Sequence, residues 1–123
     1  MNNKKILLID DEPGVRDFVK DYFEDREYHV VAAHDGLMGI EAFKKESFDL
    51  VICDMLMPKL IGVEVLRQIK EIKPGQKVIM MSGVKEDSMI EKAKTLGCRF
   101  YITKPVRLSD VEERVHECLA SPL

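Results

Sequence analysis

The sequence has no concentrated basic patch. Its 19 Lys and Arg stand against 22 Asp and Glu for a net charge of −3, and the pairs Lys4-Lys5 and Lys44-Lys45 have acids nearby. Direct nucleic-acid binding depends on clustered cations and is therefore not expected. There is no long hydrophobic run. In the opening MNNKKILLID the apolar stretch Ile6 to Ile9 is far too short for a signal segment or a membrane span. Cysteine is sparse and odd in number: Cys53, Cys98 and Cys118 are widely spaced with no Cys-x-x-Cys. They exclude a disulfide frame and a zinc site and read as buried thiols of a reducing compartment, so the expected location is the cytoplasm. No repeat, low-complexity segment or internal linker interrupts the chain. Its 123 residues, 46% apolar and 33% charged, suit one globular domain over 1–123.

Short apolar runs alternate with segments of helical period. Strands are predicted at Lys5–Ile9, Val30–Ala33, Asp49–Cys53, Lys77–Met81 and Arg99–Thr103. Between them, Val15, Phe18, Val19, Tyr22 and Phe23 mark one amphipathic helix. Asp35-Gly36 opens a second that carries Met38, Ile40 and Phe43, and the third has Val63, Leu66 and Ile69 inward. Met89, Ile90 and Ala93 mark the fourth, with Gly97 as its C-terminal cap. Ser109 and Glu112 have the spacing of a capping box ahead of Val111, Val115, Cys118 and Leu119, and Ser121-Pro122-Leu123 is expected to close the domain. Five strands alternating with five helices predict an α/β fold, a doubly wound parallel sheet covered on both faces. Ligands collect at the carboxyl ends of such strands.

That edge is where the chemistry concentrates. The third strand runs through Leu50-Val-Ile-Cys53 with no polar side chain and then meets Asp54. The first strand ends in Asp10-Asp11-Glu12, the fourth in Ser82-Gly83 and the fifth in Thr103-Lys104-Pro105. Each has an ordinary explanation alone: acids at a helix N-terminus, a turn aspartate, a Ser-Gly turn, a solvated lysine. Together they share one sheet edge. Two unit charges about 4 Å apart repel by roughly 4 kcal/mol at an effective dielectric near 20, so Asp10, Asp11 and Asp54 need cations to stay ionised there. Lys104 supplies one, and Mg²⁺, which takes a few carboxylate oxygens and leaves room for phosphate, suits the remainder. The set is then prepared for phosphoryl transfer: Asp54 as nucleophile, with Lys104, Ser82 and the metal meeting the transferred oxygens and Gly83 leaving the approach open.

Asp10-Asp11, the Asp54-Met-Leu-Met-Pro58 run, Ser82-Gly83, Tyr101 and Lys104-Pro105 resemble, over essentially the whole chain, the receiver domain of two-component response regulators. The resemblance implies a flavodoxin-like (βα)5 sheet of order 2-1-3-4-5. It implies that Asp54 accepts a phosphoryl group from the phosphohistidine of a histidine kinase or histidine phosphotransfer protein. Asp11 would bind Mg²⁺ directly, Asp10 through water and Leu56 through its backbone carbonyl. Lys104 would contact the phosphoryl group, with a cis Lys104-Pro105 bond. Ser82 and Tyr101 would act as switch residues, coupling Asp54 to the face of the fourth helix, fifth strand and fifth helix. The partners implied are a kinase, an output domain or effector, and a phosphorylation-dependent homodimer is left open; no membrane is implied. The chain would be no enzyme beyond catalysing its own phosphorylation and dephosphorylation.

The chain departs from that pattern where receivers carry an acid before glycine: here Pro58-Lys59-Leu60 leads to Ile61-Gly62. The third helix then lacks a cap, and Leu60-Ile61 is expected to be exposed. Leu56 and Val84, both apolar, are expected to flank the phosphoryl group and hinder hydrolytic water, giving a long-lived phosphoaspartate. The alternative is a receiver-fold adaptor that is never phosphorylated. An aspartate-nucleophile phosphatase would need a second acid close behind Asp54, where Met55-Leu56 stands, and a flavin site would need a loop that Asp11-Glu12-Pro13 cannot provide. These residues include no output segment, which leaves a stand-alone regulator and an excised domain both open.

Overall fold

The computed structural model describes residues 3–83 and 87–122. These form strands β1 (Lys5–Ile9), β2 (His29–Ala33), β3 (Leu50–Asp54), β4 (Val78–Ser82) and β5 (Phe100–Thr103). Helices α1 (Pro13–Glu24), α2 (Gly36–Lys45), α3 (Gly62–Ile72), α4 (Asp87–Thr95) and α5 (Leu108–Ala120) alternate with them. All strand pairs are parallel, in the order β2-β1-β3-β4-β5, the doubly wound α/β arrangement and strand order expected.

The unbroken apolar runs follow from burial on both faces. Along β1, Leu7 and Ile9 point to one core and Ile6 and Leu8 to the other; β3 repeats this with Val51 and Cys53 against Leu50 and Ile52. The first core is covered by α2, α3 and α4 through Ile40, Phe43, Leu66, Ile69 and Ala93, and the second by α1 and α5 through Val19, Phe23, Val111, Val115 and Cys118. The cysteines are buried free thiols, and burial raises the pKa of each. Among the described residues no helix is long and apolar enough to cross a membrane.

Helix ends test the local signals separately. Asp35 caps α2 as its position before Gly36 predicts, accepting from Met38 N at 2.8 Å. Gly97, at φ +92°, ends α4 with Cys98 N bonded to Ala93 O and its own N to Lys94 O, the Schellman pattern that a residue without Cβ adopts readily. The Ser109–Glu112 capping box does not form. Helix α5 starts two residues earlier than that box requires, at Leu108 after the cap residue Arg107, so Ser109 already lies inside the first turn. Glu112 instead accepts from Tyr22 Oη at 2.5 Å and Arg26 Nε at 3.2 Å, tying α5 to α1. One residue of the amphipathic stripe of α1 faces solvent, Phe18 at 52% exposure, and Met38 on α2 is 40% exposed.

The start of α3 is packed closest against the strand edge. Gly62 N donates to Met55 O at 2.8 Å, and a Cβ on Gly62 would lie 2.2 Å from the carbonyl oxygen of Asp54 and 2.8 Å from Met55 Cα. Both neighbours are backbone, so neither can rotate aside. Gly62→Ala is therefore expected to cost about 1–3 kcal/mol in urea unfolding; an unchanged midpoint would show that the loop gives way freely.

Candidate functional site

Four of the five strands, β1, β3, β4 and β5, deliver polar groups to the open edge because each ends where its apolar run ends. At the end of β1 the chain is held by Asp10 N, which donates to Ala33 O at 3.1 Å, while Arg16 Nη1 donates to Asp10 O at 3.0 Å. Asp10 itself is fully buried, and its Oδ1 accepts from Glu12 N at 2.9 Å. Pro13 occupies the first helical position of α1, leaving Glu12 as a cap residue whose side chain is spent elsewhere. Asp54 ends β3, opposite Met81 in register, and is 3% exposed.

Lys104 joins the two acidic strand ends. Its Nζ lies 2.9 Å from Asp54 Oδ2, 2.9 Å from Glu12 Oε1 and 3.9 Å from Asp10 Oδ2. Lys104 N donates to Ser82 O at 2.8 Å, fixing the end of β5 against β4, and the Lys104–Pro105 peptide is cis. Burial works against the charge of Lys104, but its bonds to Glu12 and Asp54 outweigh that and hold its pKa above the ordinary lysine value.

The acids are strained electrostatically in the opposite sense. Burial pushes the pKa of Asp54 up to about 6; the Lys104 bond offsets part of this and the Asp10 charge adds to it. Burial likewise raises Asp10, against the Glu12 N–H and Lys104, which pull it down. One lysine therefore does not balance the site. Asp10, Glu12 and Asp54 each bring a carboxylate oxygen within 4.8 Å of the others. Asp10 Oδ2 is buried and has no hydrogen-bond partner among the described residues. An orphaned carboxylate oxygen beside two further carboxylates fits a hard divalent cation that prefers oxygen.

The structure thus brings together three of the sequence-predicted residues, Asp10, Asp54 and Lys104. Ser82 is buried at the end of β4, between β3 and β5. Asp11 is half-buried and stands outside the compact group of carboxylates. Leu56 is 48% exposed at the loop after β3, and Val84 lies outside the described residues. Tyr101 is half-buried against the α4-side core as expected, but its hydroxyl is not left to water: it donates to Cys98 O at 2.8 Å, because the turn that ends α4 brings that carbonyl within reach. Burial, then Cys98, raises its pKa. Glu12 is the site residue that reading the sequence misses. Its position beside Asp10-Asp11 suggested only a helix terminus, and the available signal was Pro13, which ends that terminus before the Glu12 side chain is used.

The expected exposed pair after Pro58 is half right. Ile61 is 44% exposed and heads α3 with no side-chain cap among the described residues, whereas Leu60 is partly buried on the core. Beside Lys104 a groove of about 620 Å³ opens, lined by Glu12, Val15, Phe18, Gly83, Pro105 and Val106. This accounts for the exposure of Phe18.

Comparison with known proteins agrees with this geometry. A family profile described as response regulator receiver domain matches residues 6–116. Sporulation initiation phosphotransferase F of Bacillus subtilis is 34% identical over 119 residues, 97% of this chain and 96% of that protein. Chemotaxis protein CheY of the same organism is 34% identical over 116 residues, 94% and 97% of the two chains. The crystal structure of a response regulator receiver domain protein from Clostridium thermocellum superposes with a TM-score of 0.88 at 34% identity, covering 94% of each chain.

Proposed function

Because the chain belongs to the response regulator receiver family, we propose that it is a signalling receiver in which Asp54 accepts a phosphoryl group from a phosphohistidine. The observation that carries this reading is Asp54 itself: a buried carboxylate, bonded to Lys104 and crowded by Asp10 and Glu12. A carboxylate kept only for stability would not be placed among like charges in a desolvated pocket.

In the reaction, an Asp54 carboxylate oxygen attacks phosphorus, the bond from phosphorus to the donor's imidazole nitrogen breaks, and the electron pair leaves with the imidazole. Asp54 must be ionised to attack, and a carboxyl pKa of about 6 leaves it so near neutrality. The Lys104 ammonium, already 2.9 Å from Asp54 Oδ2, is placed to meet the negative oxygens of the group being transferred. The Ser82 hydroxyl, at the end of the neighbouring strand, is the second donor assigned to those oxygens. Mg²⁺, held by Asp10, Asp54, the Leu56 carbonyl and either Asp11 or Glu12, would neutralise carboxylate and phosphoryl charge. Excluding Asp54 from bulk water then strengthens the Lys104 interaction.

The phosphoryl group would bias a pre-existing equilibrium on the α4–β5–α5 face through Ser82 and Tyr101. The bond from Tyr101 to Cys98 O is the contact to be exchanged. The groove beside Lys104 suits docking of a histidine kinase or histidine phosphotransfer protein. An output domain, an effector or a second phosphorylated copy would read the far face. Catalysis is confined to the chain's own phosphorylation and dephosphorylation, and shielding of the acyl phosphate by Leu56 would lengthen the phosphoaspartate lifetime.

Incubation with acetyl phosphate and Mg²⁺ tests this reading. The expected result is an intact-mass gain of one phosphoryl group, absent in Asp54→Asn. No gain in the unmodified protein would favour the adaptor reading instead.

A further inference from the structure

The loop between β3 and α3 lacks the acid that would cap α3, yet it is held at three points, two of them on α2. Leu60 packs on the first residue of α2, where a Cβ on Gly36 would lie 2.8 Å from Leu60 O and 2.9 Å from Leu60 Cβ. Asp35, buried at 6% exposure, accepts from Lys59 Nζ at 3.4 Å as well as from Met38 N. The third point is the Gly62 N bond to Met55 O. Lys59 adopts φ +71°, left-handed backbone that favours glycine. A lysine kept in that conformation, with its ammonium on a buried carboxylate, has a reason to be lysine.

We propose that Asp35 and Lys59 form a latch that positions the β3–α3 loop, and with it the Leu56 backbone carbonyl, from the N-terminus of α2. The latch does for this chain what a cap on α3 would otherwise do, and Ile61 is tolerated because of it. The Asp35 carboxylate is suited to both tasks. The Met38 N–H, with Lys59 adding to it against burial, lowers its pKa, so it is ionised wherever the protein is folded near neutrality. His34 Nδ1, 3.3 Å from Asp35 Oδ2, is the other group facing it. Asp35 and Lys59 are positioning residues, acting through the loop on the metal site. In its Mg²⁺ arm, the inference rests on the receiver reading above.

The sign of one effect separates the latch from simple charge. Removing the positive charge of Lys59 from the loop that carries Leu56 should tighten Mg²⁺ binding if only charge matters. If the latch positions the carbonyl, Lys59→Met should weaken Mg²⁺ binding about tenfold, as loss of a supporting contact does at metal sites. Asp35→Asn, which keeps the helix cap, should weaken it to a similar extent. The double variant should be no weaker than either single one, and Lys59→Arg should bind as the unmodified protein does. In metal-free protein, amide exchange across residues 55–60 should quicken about tenfold in Lys59→Met while exchange in the strands is unchanged. Mg²⁺ titration by calorimetry and exchange followed by mass spectrometry read the two arms. Unchanged or tighter Mg²⁺ binding by Lys59→Met, additive losses in the double variant, or unaltered exchange at 55–60 would each overturn the latch. Failure of the unmodified protein to bind Mg²⁺ would instead count against the receiver reading, and the exchange arm would still decide the latch.

Discussion

Asp54→Asn is expected to stabilise the metal-free protein at pH 8 by about 2 kcal/mol, although it deletes a hydrogen bond to Lys104. The folded carboxyl titrates at about 6 against a reference value of 3.8. A carboxyl whose pKa is raised on folding favours the folded state fully below its unfolded pKa, and that contribution is lost as pH rises through the folded pKa. Between pH 4 and pH 6 the ionised Asp54 thus becomes a burden to the fold. The full shift, already net of the Lys104 bond, corresponds to on the order of 3 kcal/mol, and part of the relief is offset because the buried amide is left without a full set of hydrogen-bond partners. Urea unfolding in chelator should show the gain at pH 8 and none at or below pH 4. A variant less stable than the unmodified protein at pH 8 would mean that the Lys104 bond outweighs burial and repulsion.

Lys104→Met should move two quantities in opposite directions. Without metal, it leaves Asp54 and Asp10 buried with no cation against them, and breaking a buried pair from one side typically costs about 3 kcal/mol. The fold should be weakened accordingly at pH 8. The vacated position lies among Asp10, Glu12 and Asp54, which the ammonium now shares. Losing one positive charge there should tighten Mg²⁺ binding about tenfold or more, so saturating Mg²⁺ should recover much of the lost stability. Parallel unfolding in chelator and in Mg²⁺, with a calorimetric titration, reads both. Weaker Mg²⁺ binding in Lys104→Met would show that the lysine organises the carboxylates and does not compete with the metal for them.

The fold was legible in the chain because its signal is coarse and physical. A strand buried on both faces must be apolar at every position, so Ile6–Ile9 and Leu50–Cys53 announced themselves, and each then had to end at a charge. The ends shifted by about one residue because pairing register, set by neighbouring strands, decides the last bond: Asp54 and Ser82 belong to their strands, as partners of Met81 and Thr103. Signals read over one helical turn fared unevenly. Asp35 and Gly97 acted locally and behaved as their spacing predicts, whereas Glu112 was drawn away by Tyr22 on α1, 90 residues distant in sequence, and by Arg26 just beyond that helix.

At the site, residue types and strand ends identified Asp10, Asp54 and Lys104, since a parallel sheet leaves such groups one place to meet. Rotamers are not legible in a sequence. For that reason Glu12, and not Asp11, stands in the compact carboxylate group, and Tyr101 has found the Cys98 carbonyl. The hold of α2 on the β3–α3 loop was hidden for a similar reason: Asp35 read locally as the opening of α2, and no spacing in the sequence brings Lys59 to it.

Locating the phosphoryl group tests the central claim most directly. After acetyl phosphate and Mg²⁺, borohydride reduction converts an aspartyl phosphate to homoserine, which peptide mass spectrometry places in the chain. The expected result is homoserine at position 54 alone. Label at Asp10, Asp11 or Glu12 with position 54 unmodified, or no label in folded protein saturated with Mg²⁺, would contradict Asp54 as the acceptor.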